Sequence, residues 1–156
     1  MNYQIIFEWE PIGSVRIDAH GELEFPLGVP DKPGIYQLAT NGEVYVGQST
    51  SLRTRFSQYR TPGGSAATLK PNTNRHVNRW LIKKISADEP ENVRAEICTK
   101  AEIAYEDKTR KQLDLKQVFN RMLVENLALH LGLRNGLALV NKQANEKYSA
   151  QNHLMI

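Results

Sequence analysis

The sequence predicts an α+β fold: a small three-stranded antiparallel sheet flanked by helices, with an N-terminal β-hairpin extension. Three observations lead there. Short β-branched and aromatic runs, partly in apolar/polar alternation, crowd the first fifty residues and read as strands. An Asn41-Gly42 pair separates two of those runs and marks a hairpin, because both residues tolerate positive φ. Apolar residues then recur at helical spacing in three later stretches.

In chain order, residues 3–9 (YQIIFEW) suit a strand. Residues 14–25 (SVRIDAHGELEF) alternate, with a turn near His20-Gly21, and form a hairpin. Pro26, Pro30 and Pro33 mark a connecting loop. GIYQLAT and EVYVGQ are the two strands around Asn41-Gly42. A helix follows, capped by Ser49 or Ser51, with Leu52, Phe56 and Tyr59 on one face. Residues 60–73 are loop by composition, and a second helix spans roughly 74–86 with Val77, Trp80, Leu81 and Ile85 inward. VRAEICT (93–99) is a strand, and a polar stretch follows it. Residues 114–131 form the longest helix, with Leu115, Val118, Phe119, Met122 and Leu129 inward and Gly132 as its stop. The tail from 143 is polar and expected to be poorly ordered unless the closing His153-Leu154-Met155-Ile156 docks.

A chain of 156 residues is the size of one domain with one modest core. With 40% hydrophobic and 24% charged residues it reads as globular. No apolar run approaches the roughly 20 residues of a membrane span. The N-terminus has no basic region before its short apolar run, so no signal peptide is expected and the default location is the cytoplasm. A single cysteine, Cys98, makes neither an internal disulfide nor a cysteine-rich zinc site.

Net charge is only +3, but it is unevenly spread. Residues 1–43 carry seven acids and two bases, and residues 88–156 carry ten of each. Residues 44–87 carry eight bases and no acid. Such a block suits a polyanion-facing surface, or a solvated face that lacks acids. Within it Arg75, Arg79 and Lys83 lie four apart on one helix face. Phosphate contacts from such side chains give salt-dependent affinity without sequence information. Arg53, Arg60, Lys70, Asn74 and His76 complete the candidate DNA-binding set. Asn72 and Asn74 could read base edges or serve as turn and cap residues.

The segment PGIYQLATNGEVYVGQSTSLRTRFSQY resembles the signature of the GIY-YIG nuclease superfamily. Gly34-Ile35-Tyr36 matches its first triplet and Tyr45-Val46-Gly47 its second, with eight residues between them. Arg55, ten residues past Tyr45, falls where the family keeps an arginine. Glu125, in Val124-Glu125-Asn126-Leu127, matches its single acid, and Asn141 matches a final asparagine. Gln48 departs from the lysine that the family's repair enzymes tend to have. The resemblance implies a nuclease core over residues 33–142, with a loop-helix insertion at 60–86, an N-terminal extension over 1–32 and a tail over 143–156. It implies hydrolysis of DNA phosphodiesters with Mg²⁺ or Mn²⁺, one ion per site, as in small phage endonucleases II or GIY-YIG restriction enzymes. A homo-oligomer would serve double-strand cleavage, since one site cuts one strand.

The chemistry fits those residue types. A hard divalent cation prefers oxygen ligands and keeps several waters, so one carboxylate suffices as a protein anchor. Glu125 has Met122 and Leu129 as helical neighbours, and a carboxylate so placed needs a partner. That partner is a cation or Arg121 at i−4. Arg55 offers a planar, always-charged fork to the scissile phosphate. The resemblance implies that one tyrosine acts as general base, Tyr36 by preference, with Tyr45 as its partner. Tyr59 is either a third phenol at the phosphate or a packing residue. Asn141 is structural or orients phosphate. The same residues leave open a non-catalytic DNA-binding module on this fold, or a protein-interaction domain with a basic face.

Overall fold

The computed structural model describes residues 2–61 and 73–141. Lys70, Asn72 and the tail from 142 lie outside the described residues. Nine strands and three helices are described. They run β1 (Tyr3–Phe7), β2 (Glu10–Ile17), β3 (Leu23–Glu24), β4 (Gly34–Ala39), β5 (Glu43–Ser49), α1 (Leu52–Arg60), α2 (Thr73–Ile85), β6 (Val93–Cys98), β7 (Ala101–Tyr105), β8 (Arg110–Leu113), α3 (Val118–Arg134) and β9 (Ala138–Leu139).

The α+β class is as expected, but there are two sheets. The expected strands β4, β5 and β6 lie side by side and antiparallel. They are the middle of a six-stranded mixed sheet ordered β3-β2-β6-β4-β5-β9. The N-terminal hairpin extends that sheet, because β2 pairs with β6 from Glu10 to Val15. A separate three-stranded sheet, β1-β7-β8, uses the first strand of the chain. The β7–β8 hairpin falls in the stretch read as merely polar. Its turn is nonetheless marked: Asp107 Oδ1 accepts the Thr109 N–H at 3.0 Å, and Lys108 sits at φ 67°.

Alternation along β4 and β5 sends side chains to two cores. Tyr36, Leu38 and Tyr45 join Ala95, Ile97 and the inner faces of α1 and α2. Ile35, Ala39, Val44 and Val46 join Val124, Ala128 and Leu129 of α3 on the other face. With both faces covered, β4 reads as a nearly continuous apolar run. On α2 the expected Val77, Trp80 and Leu81 are buried.

For α3 the expected face is wrong in part. Val118 (53% exposed), Phe119 (74%) and Met122 (49%) point outward. The buried stripe is Arg121, Val124, Ala128, Leu129 and Gly132. Small side chains let the helix approach β5: a Cβ on Gly132 would lie 3.3 Å from a Val44 methyl. Gly132 therefore serves close packing and does not stop the helix. The stop is Asn135-Gly136, with Gly136 at φ 79°.

Gly47 is equally constrained. Tyr36 pairs with it across the β4–β5 ladder and lays its ring over the bare Cα. A Cβ there would come within 2.3 Å of the Tyr36 oxygen, which is fully enclosed. Gly47→Ala is expected to destabilise the fold by about 1–3 kcal/mol, as overpacking of a filled core does, measured by urea unfolding.

Candidate active site

Four elements converge on one place. Tyr36 on β4 and Tyr45 on β5 share a face, because Tyr36 pairs with Gly47, two residues from Tyr45. Their ring centroids are 6.2 Å apart. Helix α1 crosses above them. Ser51 caps it by accepting the Thr54 N–H at 3.2 Å. Leu52, Phe56 and Tyr59 anchor its buried face, which leaves Arg55 part-buried at the edge of the core.

Tyr59 belongs to the site, one helical turn after Arg55. Its ring lies 6.0 Å from that of Tyr36 and 6.2 Å from that of Tyr45. Its hydroxyl is hydrogen-bonded to the Tyr36 hydroxyl. Asn78 of α2 steadies this turn by donating to the Tyr59 carbonyl at 2.6 Å. No sequence pattern pointed to Asn78.

Burial holds all three phenols protonated. Desolvation and the neighbouring phenols push Tyr36 well above 10. Tyr59 is raised well above 10 chiefly by burial. Tyr45 is raised less clearly: burial leads, and the Glu125 carboxylate adds to it while Arg55 opposes. Relative exposures of 7% for Tyr45, 1% for Tyr36 and 0% for Tyr59 place Tyr45 nearest the open side.

Helix α3 brings Glu125 from the opposite face of the sheet into electrostatic reach of Arg55 and Tyr45. Among the described residues, no hydrogen bond or salt bridge reaches its carboxylate, and desolvation raises it to about 7 against the pull of Arg55. The alternative partner, Arg121, is engaged elsewhere. It donates to Gln48 and to the carbonyls of Leu115 and Lys116. Arg55 is also incompletely partnered. Its Nε is buried with no hydrogen-bond partner among the described residues, and its Nη1 makes only a long 3.5 Å contact to Asn74 Oδ1. A desolvated carboxylate thus lies within electrostatic reach of a guanidinium with a buried, unpartnered donor. That donor set fits a hard divalent cation held through Glu125.

The remaining candidates are placed less uniformly. Asn141 mimics a strand residue: Oδ1 accepts the Val46 N–H at 3.0 Å and Nδ2 donates to the Val46 carbonyl at 2.7 Å. Its amide thereby closes the edge of β5 beyond β9. Asn141→Ala is expected to destabilise by about 1–3 kcal/mol, because two β5 backbone groups lose their partner. Urea unfolding of the variant beside the parent measures the loss.

Arg79 and Lys83 are exposed on α2, and Arg75 is part-buried. His76 Nε2 lies 3.2 Å from the Val140 carbonyl and ties α2 to the strand end. Arg53 donates to the Val29 carbonyl at 3.1 Å and leaves its other nitrogens outward. Arg60 is already paired with Asp18 at 3.2 Å and Glu22 at 3.1 Å, so a phosphate there must displace two carboxylates. The basic block is thus partly neutralised by acids from the N-terminal hairpin, which sequence order alone conceals.

No family model matches this chain, and no curated protein matches it. Among solved structures, a mutant of bacteriophage T4 EndoII matches with a TM-score of 0.51 at 17% identity, over 79% of this chain and 86% of that one. T4 EndoII is a GIY-YIG nuclease, the resemblance that the two triplets carry, and at this identity the likeness establishes the shared fold. Among the described residues, no helix is long and apolar enough to cross a membrane.

Proposed function

We propose that this chain is a divalent-metal-dependent DNA endonuclease of the GIY-YIG superfamily. One observation carries the reading: Tyr36, Tyr45, Arg55 and Glu125 come from four separate elements and meet in one electrostatically coupled cluster. Ordinary packing requires neither a desolvated lone carboxylate nor a buried unpaired guanidinium donor there.

Glu125 would hold Mg²⁺ or Mn²⁺, which supplies electrostatic stabilisation at the phosphate and the leaving oxygen when bound. Arg55 grips the scissile phosphate, and its unused Nε gains the acceptor it lacks. Tyr45, the least buried of the three phenols, accepts the proton of the attacking water after losing its own to solvent. Burial opposes that loss, while Arg55 and the hydrogen bond from Tyr59 favour it. This moves the general-base role from Tyr36 to Tyr45. Tyr36 is sealed beneath Tyr59 and serves as the inner member of the phenol chain. Asn141 keeps the β5 edge straight. Arg53, Arg60, Arg75, Arg79 and Lys83, with Asn74 and His76, form the surrounding DNA surface.

The test separates binding from cutting. In EDTA the protein should retain duplex DNA, and retention should weaken steeply with salt. Arg79→Ala with Lys83→Ala should flatten the log–log salt slope by about 2. Added Mg²⁺ should then release cut products. Retention without cutting under Mg²⁺ and Mn²⁺ would leave a DNA-binding module, and no retention at moderate salt would leave a protein-interaction domain.

A further inference from the structure

Arg121 is 4% exposed, and among the described residues no salt bridge reaches it. Among the described residues its guanidinium is held by neutral acceptors. Nε donates to Gln48 Oε1 at 2.6 Å, and Nη1 donates to the carbonyls of Leu115 and Lys116, both at 2.9 Å. Burying a cation without a counter-ion is costly. Its position adds to the cost, since it sits near the N-terminal, positive end of α3. Packing gives no reason to keep it there, and at this burial it cannot meet a DNA phosphate directly.

Three segments meet at that guanidinium. Gln48 follows Gly47 on β5, three residues after Tyr45. Leu115 and Lys116 form the turn that leads into α3. Arg121 itself is one helical turn before Glu125, on the same side of the helix. Asn120 Nδ2 also donates to the Asp114 carbonyl at 3.0 Å, but that bond ties the first turn of α3 to the preceding turn and does not reach β5, and the N-cap, Gln117, makes no side-chain capping bond. Arg121 thereby links the first turn of α3 to β5 and to the turn before the helix at once.

We propose that the Gln48–Arg121 hydrogen bond is a strut that positions Glu125 against Tyr45, making both residues positioning residues for the reaction. The catalytic part of this rests on the nuclease reading above; the mechanical part does not. Groups that hold a ligating carboxylate in place typically matter 10- to 100-fold for metal affinity or activity. Gln48→Leu removes the acceptor on β5. Arg121→Lys keeps the charge but loses the fork. Gln48→Glu keeps an acceptor for Nε and is the rescuing variant.

Hydrogen exchange of the amides from Arg121 to Glu125 reads the strut without reference to activity. Gln48→Leu and Arg121→Lys should speed that exchange roughly tenfold, with Gln48→Glu close to the parent. On DNA, kcat should fall about 10- to 100-fold in the first two while KM stays within about twofold. Unchanged exchange in both variants overturns the strut. So does a rise in KM with kcat preserved, which would make Gln48 and Arg121 DNA contacts. Faster exchange in a protein whose parent cuts no DNA would uphold the strut and remove the nuclease reading instead.

Discussion

Glu125→Gln should lose cleavage by about 10³-fold or more, since the several kcal/mol of charge stabilisation from a bound cation go with its anchor. The same variant should be more stable than the parent at pH 8 in the absence of divalent cations. The physical reason is the lone, desolvated carboxylate. Unfolded, it titrates near 4.5; folded, at about 7. Between those values the folded state binds more protons than the unfolded one, so stability falls as pH rises through that window and stays reduced above it. Glutamine never ionises and avoids that loss. The gain should be about 1–2 kcal/mol once solvent screening of a half-buried group is allowed for, and should vanish at pH 4. Mg²⁺ should then raise the melting temperature of the parent and leave that of the variant unmoved, since only a protein that binds the ion is stabilised by it. Thermal melts at two pH values, with and without the ion, read all of this. A variant less stable than the parent at pH 8 would mean that the carboxylate has a partner.

Arg55→Lys should cost nearly as much as Arg55→Ala. Removing one donor preorganised for a developing oxyanion costs roughly 10²–10³ in kcat. Lysine restores charge, but as a point on a flexible stem and without the planar fork. Its ammonium also cannot supply the buried Nε–H that lacks an acceptor beside the phenols. Both variants should stay folded, because the only hydrogen bond Arg55 makes among the described residues is the long one to Asn74. Single-turnover cleavage at saturating protein measures the effect. A lysine variant within threefold or so of the parent would show that Arg55 acts as a diffuse charge, not as a fork.

Much of the site was legible because it depends on local rules. The Asn41-Gly42 turn sets the β4–β5 register, and a period of two then places Tyr36 and Tyr45 on one face. Helical spacing from Leu52 to Tyr59 places Arg55 at the core edge, and it also brings Tyr59 to the phenols. What stayed hidden depends on long-range packing. The inward face of α3 could not be read from apolar periodicity, because Arg121 and Gly132 occupy it while Phe119 and Met122 do not. Arg121 is admitted there by acceptors on β5 and in the preceding turn, which no spacing announces. The β7–β8 hairpin carries charges on an edge strand and so reads as loop. Arg60 looked free for DNA until the β2–β3 hairpin brought Asp18 and Glu22 beside it.

The nuclease reading depends on the cluster of phenols, guanidinium and carboxylate being a phosphodiester-cutting centre. Supercoiled plasmid incubated with the purified chain and Mg²⁺, beside an equal amount of Glu125→Gln, puts that to the question. The parent should convert the plasmid to nicked or linear forms, and the variant should leave it supercoiled. A parent that leaves the plasmid intact with both Mg²⁺ and Mn²⁺, or a variant that cuts at the parental rate, would contradict it.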